Sequence, residues 1–144
     1  MGNDLPPAVA ERIGFLTGRL HRAVQQMLGE TGTFTEPLGG KHLGFMSVII
    51  DEGPLSQQAL GRRLGVDRTT VVTVVDELER AGFVERRRNP HDRRAYALEA
   101  SKAGLEWQAK ARKIVLDAER ELLAPLSTGE RKELISLMQR VLLG

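Results

Sequence analysis

Cysteine is absent from the 144 residues. That excludes disulfides, thiolate zinc sites, thiol nucleophiles and cysteine-based redox switching, and it fits a reducing compartment. Aromatic residues are scarce: Phe15, Phe34, Phe45, Phe83, Tyr96 and Trp107 are all there are. So few rings cannot build the stacking platforms that hold single-stranded nucleic acid. No apolar stretch approaches the roughly 20 residues needed to span a bilayer. The segment Met1 to Ala10 lacks the basic run and apolar core of a secretory signal. The expectation is a cytoplasmic protein with no membrane partner. The residues at 21, 42 and 91 are the three histidines, and they lack metal-ligand spacing, so neither metal nor cofactor is expected. No glycine-rich phosphate loop follows a strand, no Gly-x-Ser-x-Gly is present and no carboxylate pair stands out, which argues against an enzyme. Glu77, Glu79, Glu119 and Glu121 read as solvated helix charge.

The formal charge is only +2, from 21 basic and 19 acidic residues. Its distribution is uneven. Lysine is sparse at 5 against 16 Arg, and nine of those Arg, with no Lys, fall within residues 60–94. Arginine is the cation suited to bidentate contact with phosphate and guanine edges.

The apolar pattern is mainly helical. Ile13, Leu16, Leu20, Val24, Met27 and Leu28 make one stripe of a helix expected from about Pro7 to Glu30. A second helix, about Lys41 to Asp51, is apolar nearly all round and is expected to be central. Ser56 and Asp67 suit the N-caps of two short helices, Gln57 to Leu64 and Arg68 to about Ala81, with Gly65 at the turn between them. Gly82 stops the second of these. The segments Phe83 to Arg88 and Arg94 to Leu98 flank Asn89-Pro90 and predict a hairpin with its tip near Asn89 to Arg93. Ser101 begins a long helix to about Ala124, with Leu105, Ala109, Val115, Leu116, Leu122 and Leu123 as candidate buried positions. Ser127 and Glu130 form a capping box for the last helix, which carries Leu134, Leu137, Met138, Val141 and Leu142.

Two short helices followed by a basic hairpin make a winged helix-turn-helix. The second helix must bury one face and leave the other for a major groove. Val71, Val74, Val75 and Leu78 supply the anchor, while Arg68, Thr69, Thr70, Val72 and Thr73 lie on or near the free face. Arg68 can reach guanine or phosphate, Thr hydroxyls can bond base edges or phosphate, and Thr or Val methyls can touch the thymine methyl. Ser56 and Gln57 at the preceding helix N-terminus can bring backbone N–H groups to phosphate. Residues 86–94 hold five Arg (Arg86, Arg87, Arg88, Arg93 and Arg94) and one acid, Asp92. The bland reading, a charged edge that blocks aggregation, is weaker beside a helix-turn-helix. Arg62 and Arg63 suit phosphate contact or plain surface equally.

The run from Leu64 to Val71, the run from Val75 to Arg86, and Asn89-Pro90-His91-Asp92-Arg93-Arg94-Ala95 together resemble the MarR family of bacterial transcription regulators, and Ser101-Lys102-Ala103-Gly104 stands where that family usually has Thr-x-x-Gly. The resemblance runs over essentially the whole chain. It implies a single domain over residues 1–144, mainly α with a small hairpin. Helices within about 7–31 and 101–144 would make a homodimer around a winged region at about 41–100. It further implies that Asp92 orients Arg94 by an ion pair and that Arg94 enters the minor groove. Family members often carry an Arg or other polar residue at the position of Thr73 and a basic one near Glu77. This recognition helix is less basic, which shifts the electrostatic share toward Arg86 to Arg94. An effector pocket lined by Phe15, His21, His42, Phe45 and Trp107 is likewise a family implication, with ordinary core packing as its alternative. The expected function is therefore sequence-specific binding of duplex DNA at a pseudo-palindromic operator, with repression released by a small ligand, aromatic or phenolic by family analogy. The alternatives are a ligand-independent DNA-binding or architectural protein and a winged protein-interaction module.

Overall fold

The computed structural model describes residues 4–89 and 92–144, with the side chains of residues 89 and 92–95 outside that description. The chain order is α1 (Pro7–Ala10), α2 (Ile13–Gly29), α3 (Gly40–Glu52), α4 (Gln57–Leu64), α5 (Arg68–Arg80), β1 (Val84–Asn89), β2 (Asp92–Ala100), α6 (Lys102–Leu122) and α7 (Thr128–Leu143). It divides into two compact units, one ending at Met27 and resuming at Leu116, the other Leu28–Val115. No described helix is long and apolar enough to cross a membrane.

The expected first helix is two. The single turn α1 closes at Glu11, and α2 starts afresh at Ile13. Glu and Arg at the break are good helix formers, so nothing in composition marks it. In the same unit, Ser127 and Glu130 form the predicted capping box of α7, with Ser127 Oγ accepting from the Glu130 N–H and Glu130 Oε2 from the Ser127 N–H. Arg131 Nε donates to the carbonyls of Leu123 and Leu126 and closes the turn into α7. Ile13 is 74% and Val141 82% exposed, and Leu20, Leu137 and Leu142 are also exposed.

The second unit holds the main core. Leu43, Phe45, Met46 and Ile49 of α3 are buried beside Leu60, Val71, Val74, Val75, Leu78, Val84 and Leu98. The expectation of a central second helix is met. Trp107 stacks on Phe83 with ring centroids 5.1 Å apart, meets Phe34 edge-on at 5.7 Å, and donates its indole N–H to the Thr33 carbonyl at 3.2 Å. Aromatic area and a satisfied polar tip make that cluster an anchor.

Helix α6 buries a face other than that of Leu105 and Leu116. Of the candidate positions, Leu105, Ala109 and Leu116 are exposed and Val115 and Leu122 half-buried, whereas the fully buried positions are Gly104, Trp107, Ala111 and Ala118. The reason is close approach. A side chain at Gly104 would collide with the Phe83 carbonyl oxygen and come within 2.9 Å of Met46 Cε. Ser101 fastens the same point, accepting the Gly104 N–H and donating to the Gly82 carbonyl.

Candidate nucleic-acid interface

The helix-turn-helix forms from local chemistry. Ser56 Oγ accepts the Ala59 N–H at 3.1 Å and starts α4. Gly65 ends it with φ 63°, a left-handed residue that a side chain would strain. Asp67 then caps α5. Its two carboxyl oxygens accept the Thr70 hydroxyl at 2.5 Å and the Thr70 N–H at 3.0 Å. Those bonds, the hydroxyl first, hold the Asp67 carboxyl below its ordinary value of 3.8. Gly61 permits tight crossing of the two helices, since a Cβ there would sit 3.1 Å from Val71 Cγ2.

Helix α5 separates its faces as the sequence predicts. Val71, Val74, Val75 and Leu78 are buried. On the opposite face Thr69, Val72 and Thr73 are exposed, followed by half-exposed Asp76, at offsets of 0, 3, 4 and 7. Arg68 is exposed at the N-terminal end.

The wing is an antiparallel pair with Val84 opposite Ala100, Arg86 opposite Leu98 and Arg88 opposite Tyr96. Strand β2 is longer than the sequence suggests. Leu55, just before α4, also bridges Leu98 through bonds of 2.7 and 3.3 Å. A one-residue bridge beside Pro54 has no sequence pattern to betray it.

The arginines differ in their surroundings. Arg86 turns inward to the helix-turn-helix. Its guanidinium donates to Asp76, to Glu79 at 2.9 Å and, at the longer reach of 3.5 Å, to Gln57 Oε1. This links the wing to the recognition helix and the start of α4. Glu79 is thus paired rather than merely solvated. Arg87 is exposed and bracketed by Glu99 at 2.9 Å and Glu85 at 3.4 Å, exposed pairs that phosphate can displace at little cost. Arg88 is exposed. Arg63 forms a two-pronged pair with Glu52 at 2.5 and 2.6 Å. The expectations for the side chains of Asp92, Arg93 and Arg94, and for the residue 91 histidine, lie outside the described residues.

The five residues named for an effector pocket fall in both units. Phe15 and His21 belong to the first, half-buried and exposed respectively; His42, Phe45 and Trp107 belong to the second and are buried. His42 is hydrogen-bonded to Glu77 at 2.6 Å. Glu77 is therefore half-buried and engaged, contrary to the expectation of a solvated charge. The signal for it lay in the helical register, since Glu77 flanks the buried Leu78 and Val74.

The MarR family model matches residues 37–95, which span α3 through most of the wing. A Thauera aromatica protein assigned as a transcriptional regulatory protein for the hcr operon is 34% identical over 134 residues, covering 93% of this chain and 81% of that one. The Escherichia coli transcriptional repressor MprA is 29% identical over 102 residues, 68% of this chain and 58% of that one. The crystal structure of the Streptomyces coelicolor regulator PcaV with its natural ligand superposes with a TM-score of 0.82 at 28% identity, covering 96% of each chain. These relatives are transcriptional regulators, not enzymes. With that likeness over nearly its full length and a recognition helix braced against an arginine-bearing wing, the chain belongs to the MarR family and is a transcriptional regulator with a DNA-binding winged helix.

Proposed function

We propose that the protein binds a pseudo-palindromic operator as a homodimer and represses the adjacent promoter until a small ligand releases it. The observation that carries the reading is the division of α5, with a buried Val71-Val74-Val75-Leu78 face and an outward Thr69-Val72-Thr73 face. A helix held rigidly on one side and open on the other is what major-groove docking requires. Arg68, Arg87, Arg88, Arg93 and Arg94 supply phosphate and minor-groove contacts around it. Ser56 and Gln57 bring the α4 N-terminus to the backbone.

Exposed Ile13, Leu20, Leu137, Val141 and Leu142 support a dimer, because apolar positions of this extent at both chain ends call for a cover. Two-fold symmetry then places half-sites about one helical turn apart, roughly 34–36 Å. Repression follows by occlusion, and MprA is a repressor by name. PcaV with its natural ligand supports an effector here. A ligand releases DNA if it prefers a dimer whose recognition helices are misspaced.

Selection of bound duplexes from a genomic library, followed by sedimentation and affinity measurement, tests the proposal. A two-fold-related site bound by a dimer is expected. Binding no tighter than to random duplex, or a monomer at micromolar concentration, would overturn it. Titrating the complex with aromatic carboxylates and phenols tests release.

A further inference from the structure

The outward stripe of α5 has an unusual chemistry for a base-reading surface. It carries no Asn, Gln, Lys or Arg between Arg68 and Arg80, so the bidentate pairings that read adenine and guanine are missing from its centre. Two hydroxyl protons on or beside it are spent within the helix and its cap. Thr73 Oγ1 donates to the Thr69 carbonyl at 3.0 Å, and Thr70 Oγ1 donates to Asp67 at 2.5 Å. Asp76, one turn further on, is tied to Arg86. What the middle of the stripe offers is apolar: the Val72 side chain, 38% exposed, beside the methyl of Thr73. An exposed β-branched aliphatic in this position loses by contact with water and gains only against another apolar group. In the major groove of DNA the apolar group is the thymine C5-methyl.

We infer that each half-site is read mainly through thymine methyl groups seated against Val72 and Thr73. The inference rests on α5 being the recognition helix, and it adds the base chemistry that helix selects. Arg68 at one end of the stripe and the wing at the other supply orientation, while the centre discriminates by methyl contact.

The test uses the full-length protein and its selected operator. Each thymine is replaced singly by deoxyuridine, which removes the methyl and leaves base pairing intact. At one or two positions per half-site the affinity is expected to fall about fourfold, the worth of one buried methyl. In Val72→Ala the thymine operator binds more weakly and the deoxyuridine penalty at the matching position disappears. Val72→Thr, the same shape with one methyl kept, retains part of the penalty and controls for folding, together with the thermal melting of each variant. If the unmodified operator binds tightly but no deoxyuridine position matters, the inference is overturned while the DNA-binding reading stands. Equal penalties in wild type and Val72→Ala overturn it as well. Failure to select any duplex overturns both.

Discussion

The His42 imidazole joins the start of α3 to the last turn of the recognition helix through Glu77. Its Nδ1 accepts the Gly39 N–H at 3.0 Å, so the ring proton sits on Nε2 and is donated to Glu77 Oε2 at 2.6 Å. One side of the ring does the work of a capping-box carboxyl, and the other fixes α5 from behind its anchoring face. His42 is 3% exposed, so neither bond can be replaced freely by water.

Removing the acceptor leaves a buried donor unmet. Glu77→Ala is expected to lower unfolding stability by about 1–3 kcal/mol, whereas Glu77→Gln keeps an acceptor oxygen and costs less. Urea unfolding of the two variants checks this. Equal stability of Glu77→Ala and wild type would show that the bond contributes nothing.

Arg86 and its exposed neighbour Arg88 separate by salt dependence. Each phosphate neutralised contributes a slope of about 0.9 in log affinity against log salt. Arg88→Gln is expected to flatten the slope by about that amount. Arg86→Gln should weaken binding and leave the slope unchanged, because its guanidinium braces Asp76 and Glu79. A flattened slope in Arg86→Gln would return that residue to the phosphate-binding set.

Two carboxyls give an acid-side signature. Thr70 holds Asp67 below 3.8, and the Arg63 hydrogen bonds hold Glu52 below 4.5. A lowered folded-state value means stability that is complete above the ordinary value and lost as pH falls through the folded one. Thermal unfolding midpoints should therefore decline below about pH 4.5. The decline is shallower in the double variant Asp67→Asn with Glu52→Gln. An equally steep decline in that variant would place the acid sensitivity elsewhere.

Gly104→Ala introduces a methyl where the Phe83 carbonyl oxygen already stands. Overpacking of this kind costs about 1–3 kcal/mol. Phe83 also stacks on Trp107, so the tryptophan emission should shift in the same variant. An unshifted spectrum with wild-type stability would mean that α6 retreats without cost.

The amino-acid sequence by itself determined the caps, the turn and the helix faces on which the winged region is built. Ser56, Asp67 and Ser127 cap helices because their side chains reach N–H groups three residues on. Gly65 turns because it lacks a Cβ, and Val71, Val74, Val75 and Leu78 share a face because the period is fixed. The wing and its arginines were legible as a charged hairpin. Tertiary structure alone decided which partners meet over long separations. It turned Arg86 inward to Asp76, Glu79 and Gln57, and it matched His42 to Glu77 across 35 positions. It also set the rotation of α6, where Gly104 and Ala111 go inward and Leu105 and Leu116 outward. Periodicity ranks residues by hydrophobicity, but two backbones packed closely select for small size. A count of arginines gives total charge, but the carboxylates folded beside them determine how much of it faces DNA.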